Sequence, residues 1–357
     1  YTSGTTGKPK GVELSHWNFR SNVNQSRKRY GPRADKPEDM AVIDDTARSI
    51  SFLPLAHVFE RLAGHFLMFG SGVHVCYAES PDTLREDFGL IEPTVGTSVP
   101  RVYERLYDAI RSQATESALG ARIFGWATEV GREYHEVDSP GPLLAAQRAI
   151  ADRLVFSNVR EALGGNIDFF ISGGGSLSRD LCALYHGMGL PILEGYGLTE
   201  TSPVITVNPP EAPKVGTIGP PVVGQEIEVD EEVASPEQRE KATGRAGELL
   251  VKGPNVFSGY WNLERETDRA FDREGWFRTG DVVHLRPDGY IEFLERVKAI
   301  ITLDTGKNVA PGPIEDAFAP RELVEQAFVM GNDQPFISAL VVPNFEAVRD
   351  WAEEEGY

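Results

Sequence analysis

Residues 1–11 read YTSGTTGKPKG and tell more about the fold than any other part of the chain. The three glycines let the backbone approach a ligand closely, and the hydroxyl and N–H groups between them can donate hydrogen bonds to phosphate oxygens. The spacing is not that of a Walker A loop, because Gly4 and Gly7 are too close together and Pro9 stands where a metal-binding hydroxyl is needed. The stretch therefore predicts a different kind of phosphate-binding loop, in preference to a flexible linker.

Length and composition restrict the class of protein. The chain has 357 residues, with 41% apolar and 25% charged residues, as expected of a soluble globular protein with two or more domains. A net charge of −19 argues against binding of nucleic acid, which requires a basic surface. Cys76 and Cys182 stand in apolar surroundings and are expected to be buried thiols. No signal peptide or membrane-spanning run is evident, so the sequence predicts a cytoplasmic protein and leaves peripheral membrane contact open.

Short β-rich runs and longer helical segments alternate along the first part of the chain. This alternation predicts an α/β fold with a layered, mostly parallel sheet and helices. The predicted strands are residues 49–55, 73–77, 94–99 and 167–172, and the predicted helices are 14–29, 101–114, 121–137 and 143–163. Gly- and Pro-rich sequence with brief apolar runs follows and predicts a small distorted β-barrel, then the start of an α+β C-terminal domain. The predicted domains are residues 1–207, 208–296 and 297–357.

A second candidate segment, GYGLTET at residues 195–201, directly follows the apolar run 190–193. A loop after a strand of an α/β sheet lies at the carboxyl edge, where such sheets bind ligands. Tyr196 offers a flat face for a purine, Thr199 a hydroxyl for a phosphate, and Glu200 a hard oxygen ligand for Mg²⁺. Taken alone, the segment fits an ordinary turn equally well.

Three further segments have the same ambiguity. SGGGSL at 172–177 joins a predicted strand to a helix, and its glycines would permit close backbone approach to a nucleotide. WFRTGD at 276–281 ends in a carboxylate that could accept hydrogen bonds from ribose hydroxyls. ERVK at 295–298 contributes two positively charged side chains, Arg296 and Lys298. His57, in PLAHVFER at 54–61, is taken alone a structural histidine more often than a catalytic one.

The five segments are residues 1–11, 172–177, 195–201, 276–281 and 295–298. Taken together, and in this order along the chain, they resemble those of the adenylate-forming enzymes, which include acyl-CoA synthetases, luciferases and peptide-synthetase adenylation domains. PLAHVFER is most similar to long-chain acyl-CoA synthetases. The resemblance implies ATP- and Mg²⁺-dependent activation of a fatty acid to an acyl-adenylate and transfer to coenzyme A. Two alternatives stay open: an enzyme that passes the acyl group to a carrier protein, and a non-catalytic nucleotide-binding homologue.

The resemblance also implies the site residues. The implied catalytic residues are Thr199, Glu200, Lys8, His57 and Lys298, with Lys298 as the hinge of the C-terminal domain. The implied nucleotide-binding residues are Thr2, Ser3, Gly4, Thr5, Thr6, Gly7, Lys8, Gly174, Glu194, Gly195, Tyr196, Gly197, Thr199, Asp281, Arg296 and Lys298. The implied Mg²⁺ ligands are Glu200 and Thr2.

Two departures from the family pattern alter the expectations. Some long-chain enzymes have a gating Trp four residues after the His, whereas this chain has Arg61 there. The family's C-terminal catalytic lysine lies well beyond the hinge, so the chain is expected to be part of a longer protein, without the N-terminal subdomain and the end of the C-terminal domain, and poor at adenylation. Acyl chain length stays open, and so does formation of a homodimer.

Overall fold

The structure, a computed structural model, describes most of the chain. The described residues are 1–2, 9–36, 40–80, 82–137, 139–234, 243–297, 301–305, 308–309, 311–318, 321 and 323–355. They divide into two compact units, the first formed by Tyr1–Glu226 with Lys252–Gly275 and the second by Ile227–Val251 with Trp276–Tyr357. The three domains that the sequence suggests stay a prediction.

A six-stranded sheet lies at the centre of the first unit. Its strands are β1 (Arg48–Ser51), β2 (His74–Tyr77), β3 (Val95–Ser98), β4 (Phe169–Ser172), β5 (Ile192–Gly197) and β6 (Val204–Val207), in the order β2-β1-β3-β4-β5-β6. The first five run parallel, and β6 is antiparallel to β5. The predicted mostly parallel sheet is confirmed.

Helices lie before, between and after these strands. They are α1 (His16–Tyr30), α2 (Leu67–Gly70), α3 (Leu84–Ile91), α4 (Pro100–Ala114), α5 (Ala118–Glu136), α6 (Pro142–Ala151), α7 (Ser157–Ala162), α8 (Arg179–Gly187) and α9 (Glu264–Ala270). The predicted helix 14–29 is confirmed as α1, which Ser15 caps by accepting from the N–H of Asn18 at 3.2 Å. The predicted helix 143–163 is α6 and α7 with a π-helical stretch, Asp152–Phe156, between them.

Both faces of the sheet are covered by apolar packing. Successive side chains of a strand point to opposite faces, and β4 shows this directly. Phe169 and Ile171 belong to one core, which includes Tyr30 of α1. Phe170 belongs to the other, which includes Tyr185 of α8. Burial on both faces explains why the sequence of β4, FFIS, is almost continuously apolar.

The second unit contains a four-stranded sheet. Its strands are β7 (Glu226–Asp230), β8 (Arg245–Lys252), β9 (Phe277–Leu285) and β10 (Ile291–Arg296), in the order β10-β9-β8-β7. β9 and β10 form a hairpin, whose turn places Gly289 at φ +83°. Among the described residues the strands form an open sheet, not the closed barrel that the sequence suggested.

Smaller elements complete the second unit. They are β11 (Ile301–Thr302), β12 (Asn308–Val309), α10 (Gly312–Asp316), β13 (Val324–Met330), β14 (Ser338–Pro343) and α11 (Phe345–Glu355). β13 and β14 pair antiparallel. Over the described ranges, no helix combines the length and apolarity that crossing a bilayer would require. Cys182 is buried and Cys76 half-buried, and both are free thiols.

Candidate active site

The predicted phosphate loop is described only at its two ends. Outside the described residues lie Ser3, Gly4, Thr5, Thr6, Gly7, Lys8 and, in the predicted hinge, Lys298. The N–H of Thr2 donates to the carbonyl of Lys10 at 3.0 Å, and the N–H of Lys10 donates to the carbonyl of Thr2 at 3.2 Å. The two ends of the predicted loop therefore lie side by side.

Residues 195–201 form the end of β5 and a short 3₁₀ turn, Thr199–Thr201, after which the chain returns as β6. Gly197 permits this return, because a Cβ at that position would lie 1.8 Å from the carbonyl oxygen of Pro203. The reversal places Glu200, which is 9% exposed, just beyond the end of the strand. The predicted location of this carboxylate at a strand end is confirmed.

Glu200 is held by a segment that the sequence analysis did not single out. The hydroxyl of Tyr260 donates to Glu200 Oε1 at 2.8 Å, and the N–H of Phe257 donates to the Glu200 carbonyl, also at 2.8 Å. The Nζ of Lys10 lies 4.6 Å from the centroid of the Tyr260 ring and 3.2 Å from Glu266 Oε2. A continuous set of contacts thus joins the end of the phosphate loop to Glu200.

We call residues 254–261 the strap, because they lie alongside the residues that follow the phosphate loop. The N–H of Glu13 donates to the carbonyl of Gly259 at 3.0 Å, and the N–H of Trp261 donates to the carbonyl of Gly11 at 2.8 Å. Tyr260 forms a β-bridge with Val12 between these two bonds. The strap therefore fixes residues 11–13 and Glu200 to the same stretch of backbone.

His57 lies next to the glycine-rich loop at 172–175. The ring of Phe59 packs on Gly173 so closely that a Cβ there would lie 2.8 Å from the ring. Nδ1 of His57 accepts from the N–H of Phe59 at 3.3 Å, so the proton of a neutral ring is on Nε2. His57 is exposed, and Gly174 of the loop adopts φ +80°. The contact with the predicted glycine-rich turn is thus made by Phe59, two residues after the predicted histidine.

The π-helix Glu60–Phe66 is anchored by a buried carboxyl group. Glu60 is fully buried and accepts from Ser51 Oγ at 2.5 Å and Thr97 Oγ1 at 2.7 Å, at the ends of β1 and β3. Burial raises the pKa of this carboxyl. A Cβ at Gly64 would lie 2.4 Å from the Glu60 carboxyl, so the missing side chain at Gly64 leaves the space that this carboxyl occupies. Arg61, at the position of the gating Trp, is exposed and donates to a backbone carbonyl at 3.0 Å.

Glu194 and Tyr196 lie two residues apart on β5 and so share one face of the sheet. Burial raises the pKa of Glu194 to about 7, against the opposing effect of N–H donors from Leu177 and Gly216 and of the Cys182 thiol. Glu194 therefore fixes the ends of two loops, and the nucleotide contacts predicted for it and for Tyr196 stay predictions. On β5, Glu194 pairs in register with Ser172, the first residue of the glycine-rich segment.

In the second unit, β9 and β10 bring Asp281 and Arg296 together. Asp281 is buried, and Arg296 Nε lies 3.7 Å from its Oδ1. The preceding turn is held by the buried Glu248, whose Oε1 accepts from the N–H of Gly280 at 3.1 Å and whose other oxygen pairs with Arg278. Gly280 has φ +73°, a conformation that favours glycine. The two residues to which the resemblance gives ribose contacts are thus neighbours across the β9–β10 pair.

The residues present fit Mg²⁺ bound together with a nucleotide. Within the described part of the chain, no three His, Cys, Asp or Glu side chains form a metal cluster. Mg²⁺ commonly binds through one or two carboxylates and completes its shell with waters and substrate phosphates. Glu200, fixed through both its side chain and its carbonyl, is a suitable single carboxylate.

The fold and this constellation define a nucleotide-binding α/β protein of the adenylate-forming class. Comparison with protein families agrees, because the family described as AMP-binding enzyme matches residues 1–261. The AMP-binding enzyme C-terminal domain matches residues 298–356. The chain belongs to the AMP-binding enzyme family.

Individual relatives are similar over nearly the whole chain. It is 38% identical over 356 residues to long-chain-fatty-acid–CoA ligase FadD15 of Mycobacterium tuberculosis, covering 99% of this chain and 55% of the relative. It is 33% identical over 360 residues to long-chain-fatty-acid–CoA ligase 1 of Homo sapiens, covering 100% and 49%. Among solved structures, ATP-bound MatB from Rhodopseudomonas palustris has a TM-score of 0.68 at 26% identity, covering 96% of this chain and 56% of MatB. The chain spans about half the length of these curated relatives.

Proposed function

We propose that the protein activates a fatty acid with ATP and transfers the acyl group to coenzyme A. One observation in the structure supports this above the others: contacts run from Thr2 and Lys10 through Tyr260 to Glu200. The end of a phosphate loop and a cation-binding carboxylate are thereby joined within one unit, as ATP with Mg²⁺ would require. The proposed substrate class, long-chain fatty acids, comes from the names of the relatives.

The proposed reaction has two steps. A carboxylate oxygen of the fatty acid attacks the α-phosphorus of ATP, the bond to pyrophosphate breaks, and pyrophosphate departs with its electron pair. The thiolate of coenzyme A then attacks the acyl carbon, and AMP leaves as the carbon–oxygen bond breaks. The chain's part is to position the phosphates and to stabilise developing charge, and a bound Mg²⁺ would add charge neutralisation beside Glu200.

Two further residue roles belong to the proposal. Asp281 and Arg296 would contact the ribose, and His57 with the glycine-rich loop would adjoin the acyl and adenine groups. Cytoplasmic residence, peripheral membrane contact and a homodimeric state remain predictions.

The test measures pyrophosphate release, acyl-AMP and acyl-CoA with ATP, Mg²⁺ and carboxylic acids from acetate to palmitate, with and without coenzyme A. Acid-dependent pyrophosphate release with acyl-CoA formed from long acids is the expected result. Acyl-AMP without acyl-CoA would favour transfer to a carrier protein. ATP binding without turnover of any acid would favour a non-catalytic homologue, and failure to bind ATP would overturn the proposal.

A further inference from the structure

We propose that Tyr260 is a positioning residue for the divalent cation that accompanies ATP, because its hydroxyl sets the orientation of the Glu200 carboxylate. This inference rests on the proposed function and extends it to a residue outside the phosphate loop and the GYGLTET segment. Tyr260 is placed toward the C-terminal end of the strap, residues 254–261, 60 positions beyond Glu200.

The strap holds Glu200 at two points. The Phe257 N–H fixes the Glu200 carbonyl, and the Tyr260 hydroxyl fixes Oε1 of its side chain. A carboxylate with one oxygen held in this way loses rotational freedom before a cation arrives. Less ordering is then needed on binding, which favours affinity for the cation.

The Tyr260 ring is itself fixed on several sides. Its backbone bridges to Val12, and its ring meets Phe257 edge-on with the centroids 4.9 Å apart. The ammonium of Lys10 lies over the ring at 4.6 Å and also pairs with Glu266. The hydroxyl is therefore delivered to Glu200 by a rigid aromatic support that also contacts the end of the phosphate loop.

A purely structural Tyr260 would behave differently. If the hydroxyl served only to hold the strap in place, its loss would weaken binding of free ATP and of ATP with Mg²⁺ to the same extent. If it orients Glu200 for the cation, the loss falls on the Mg²⁺-dependent part of the affinity alone. The dependence on the cation separates the two roles.

The experiment measures equilibrium binding of ATP by calorimetry, with excess Mg²⁺ and with a chelator, for the 357-residue chain. Tyr260→Phe keeps the ring and its contacts with Lys10 and removes only the hydroxyl. We expect about tenfold weaker binding of ATP with Mg²⁺, the size of a lost hydrogen bond to a charged group, and less than about a twofold change without the cation. Tyr77→Phe is the control, because Tyr77 is exposed and its hydroxyl lies 2.9 Å from Nδ1 of His65, which is not part of the strap. Thermal unfolding of each variant checks that the fold is retained.

A double-mutant cycle with Glu200→Gln adds a second criterion. If Tyr260 acts through Glu200, the Mg²⁺-dependent loss in the double variant equals that of Glu200→Gln alone, since the hydroxyl has no carboxylate left to orient. Additive losses would overturn the inference, and so would equal losses with and without Mg²⁺ or unchanged binding in Tyr260→Phe. Failure of the unmodified chain to bind ATP would overturn the proposed function and this inference with it. If that chain binds ATP in a Mg²⁺-dependent manner, the comparison of the variants tests the role of Tyr260 separately.

Discussion

Glu194 is expected to make the stability of the first unit depend on pH, and Glu194→Gln should remove that dependence. Burial raises the pKa of this carboxyl from its ordinary value of 4.5 to about 7. The residues that contact it, Leu177 and Gly216 through their N–H groups and Cys182 through its thiol, only partly offset the desolvation. Gln is nearly isosteric, keeps an oxygen acceptor for the N–H groups and does not titrate.

The magnitude follows from the difference between folded and unfolded pKa values. Below pH 4.5 both states hold the proton, and as the pH rises toward about 7 the unfolded state releases it while the folded state retains it. The free energy of unfolding therefore falls as pH rises through this window and levels off above it. At about 1.4 kcal/mol for each pKa unit the full effect is roughly 3 kcal/mol, and partial exposure of the residue reduces our expectation between pH 5 and 8 to about 2 kcal/mol.

The assay is urea unfolding of the original chain and of Glu194→Gln at several pH values from about 5 to 8, an interval that includes the shifted pKa. The difference in free energy of unfolding, variant minus original, should grow by about 2 kcal/mol in favour of the variant as pH rises. A constant cost of the substitution cancels, because only the change with pH is used. Glu161→Gln on the exposed side of α7 is the control and should give a flat difference. A flat difference for Glu194→Gln would refute the reasoning.

Two further predictions concern the loops of the site. Gly173→Ala should destabilise the protein by about 1–3 kcal/mol, since the new Cβ would lie 2.8 Å from the Phe59 ring. In the matched control, Gly175→Ala, the new Cβ would meet its nearest neighbour at an ordinary 3.6 Å. Thermal unfolding of both variants checks this prediction, and equal losses of stability would contradict it. Glu248→Ala should cost about 1–3 kcal/mol in urea unfolding, because the N–H of Gly280 and a paired guanidinium lose their acceptor. Glu248→Gln, which retains one acceptor oxygen, should cost less, and the reverse order would count against the assigned bonds.

The layered architecture could be predicted from the sequence because its signals are local. The run at 167–172 indicates a strand buried on both faces, and β4 is such a strand. The helix start at Ser15 and the hairpin turn at 286–289 are similarly encoded within a few residues. The single helix predicted over 143–163 contains a π-helical stretch, which apolar periodicity does not indicate.

The interactions that fix the site could not be predicted in the same way. Tyr260 and Phe257 contact Glu200 from 60 and 57 positions away in the sequence, and no local pattern specifies such pairs. Glu60 is similar: in sequence it borders an apolar run, but its side chain is buried between Ser51 and Thr97. The sequence signal that could have indicated the burial of Glu60 is Gly64, since a glycine four residues after a glutamate in a helix leaves room for an inward-pointing carboxyl.

The environments of two carboxyl groups, six residues apart, argue for Glu200 rather than Glu194 as the cation ligand. A cation is best bound by a carboxylate oxygen that other donors do not already occupy. Since burial raises the pKa of Glu194 to about 7, a large share of this group is protonated near neutral pH, and its carboxyl already accepts two backbone N–H donors. Glu200, which is also buried, lies in the turn after the strand, where among the described residues its carboxylate accepts one side-chain hydrogen bond, from the Tyr260 hydroxyl to Oε1. β5 thus supplies one carboxyl that fixes loops, and the turn that follows it supplies a second that is suited to binding Mg²⁺.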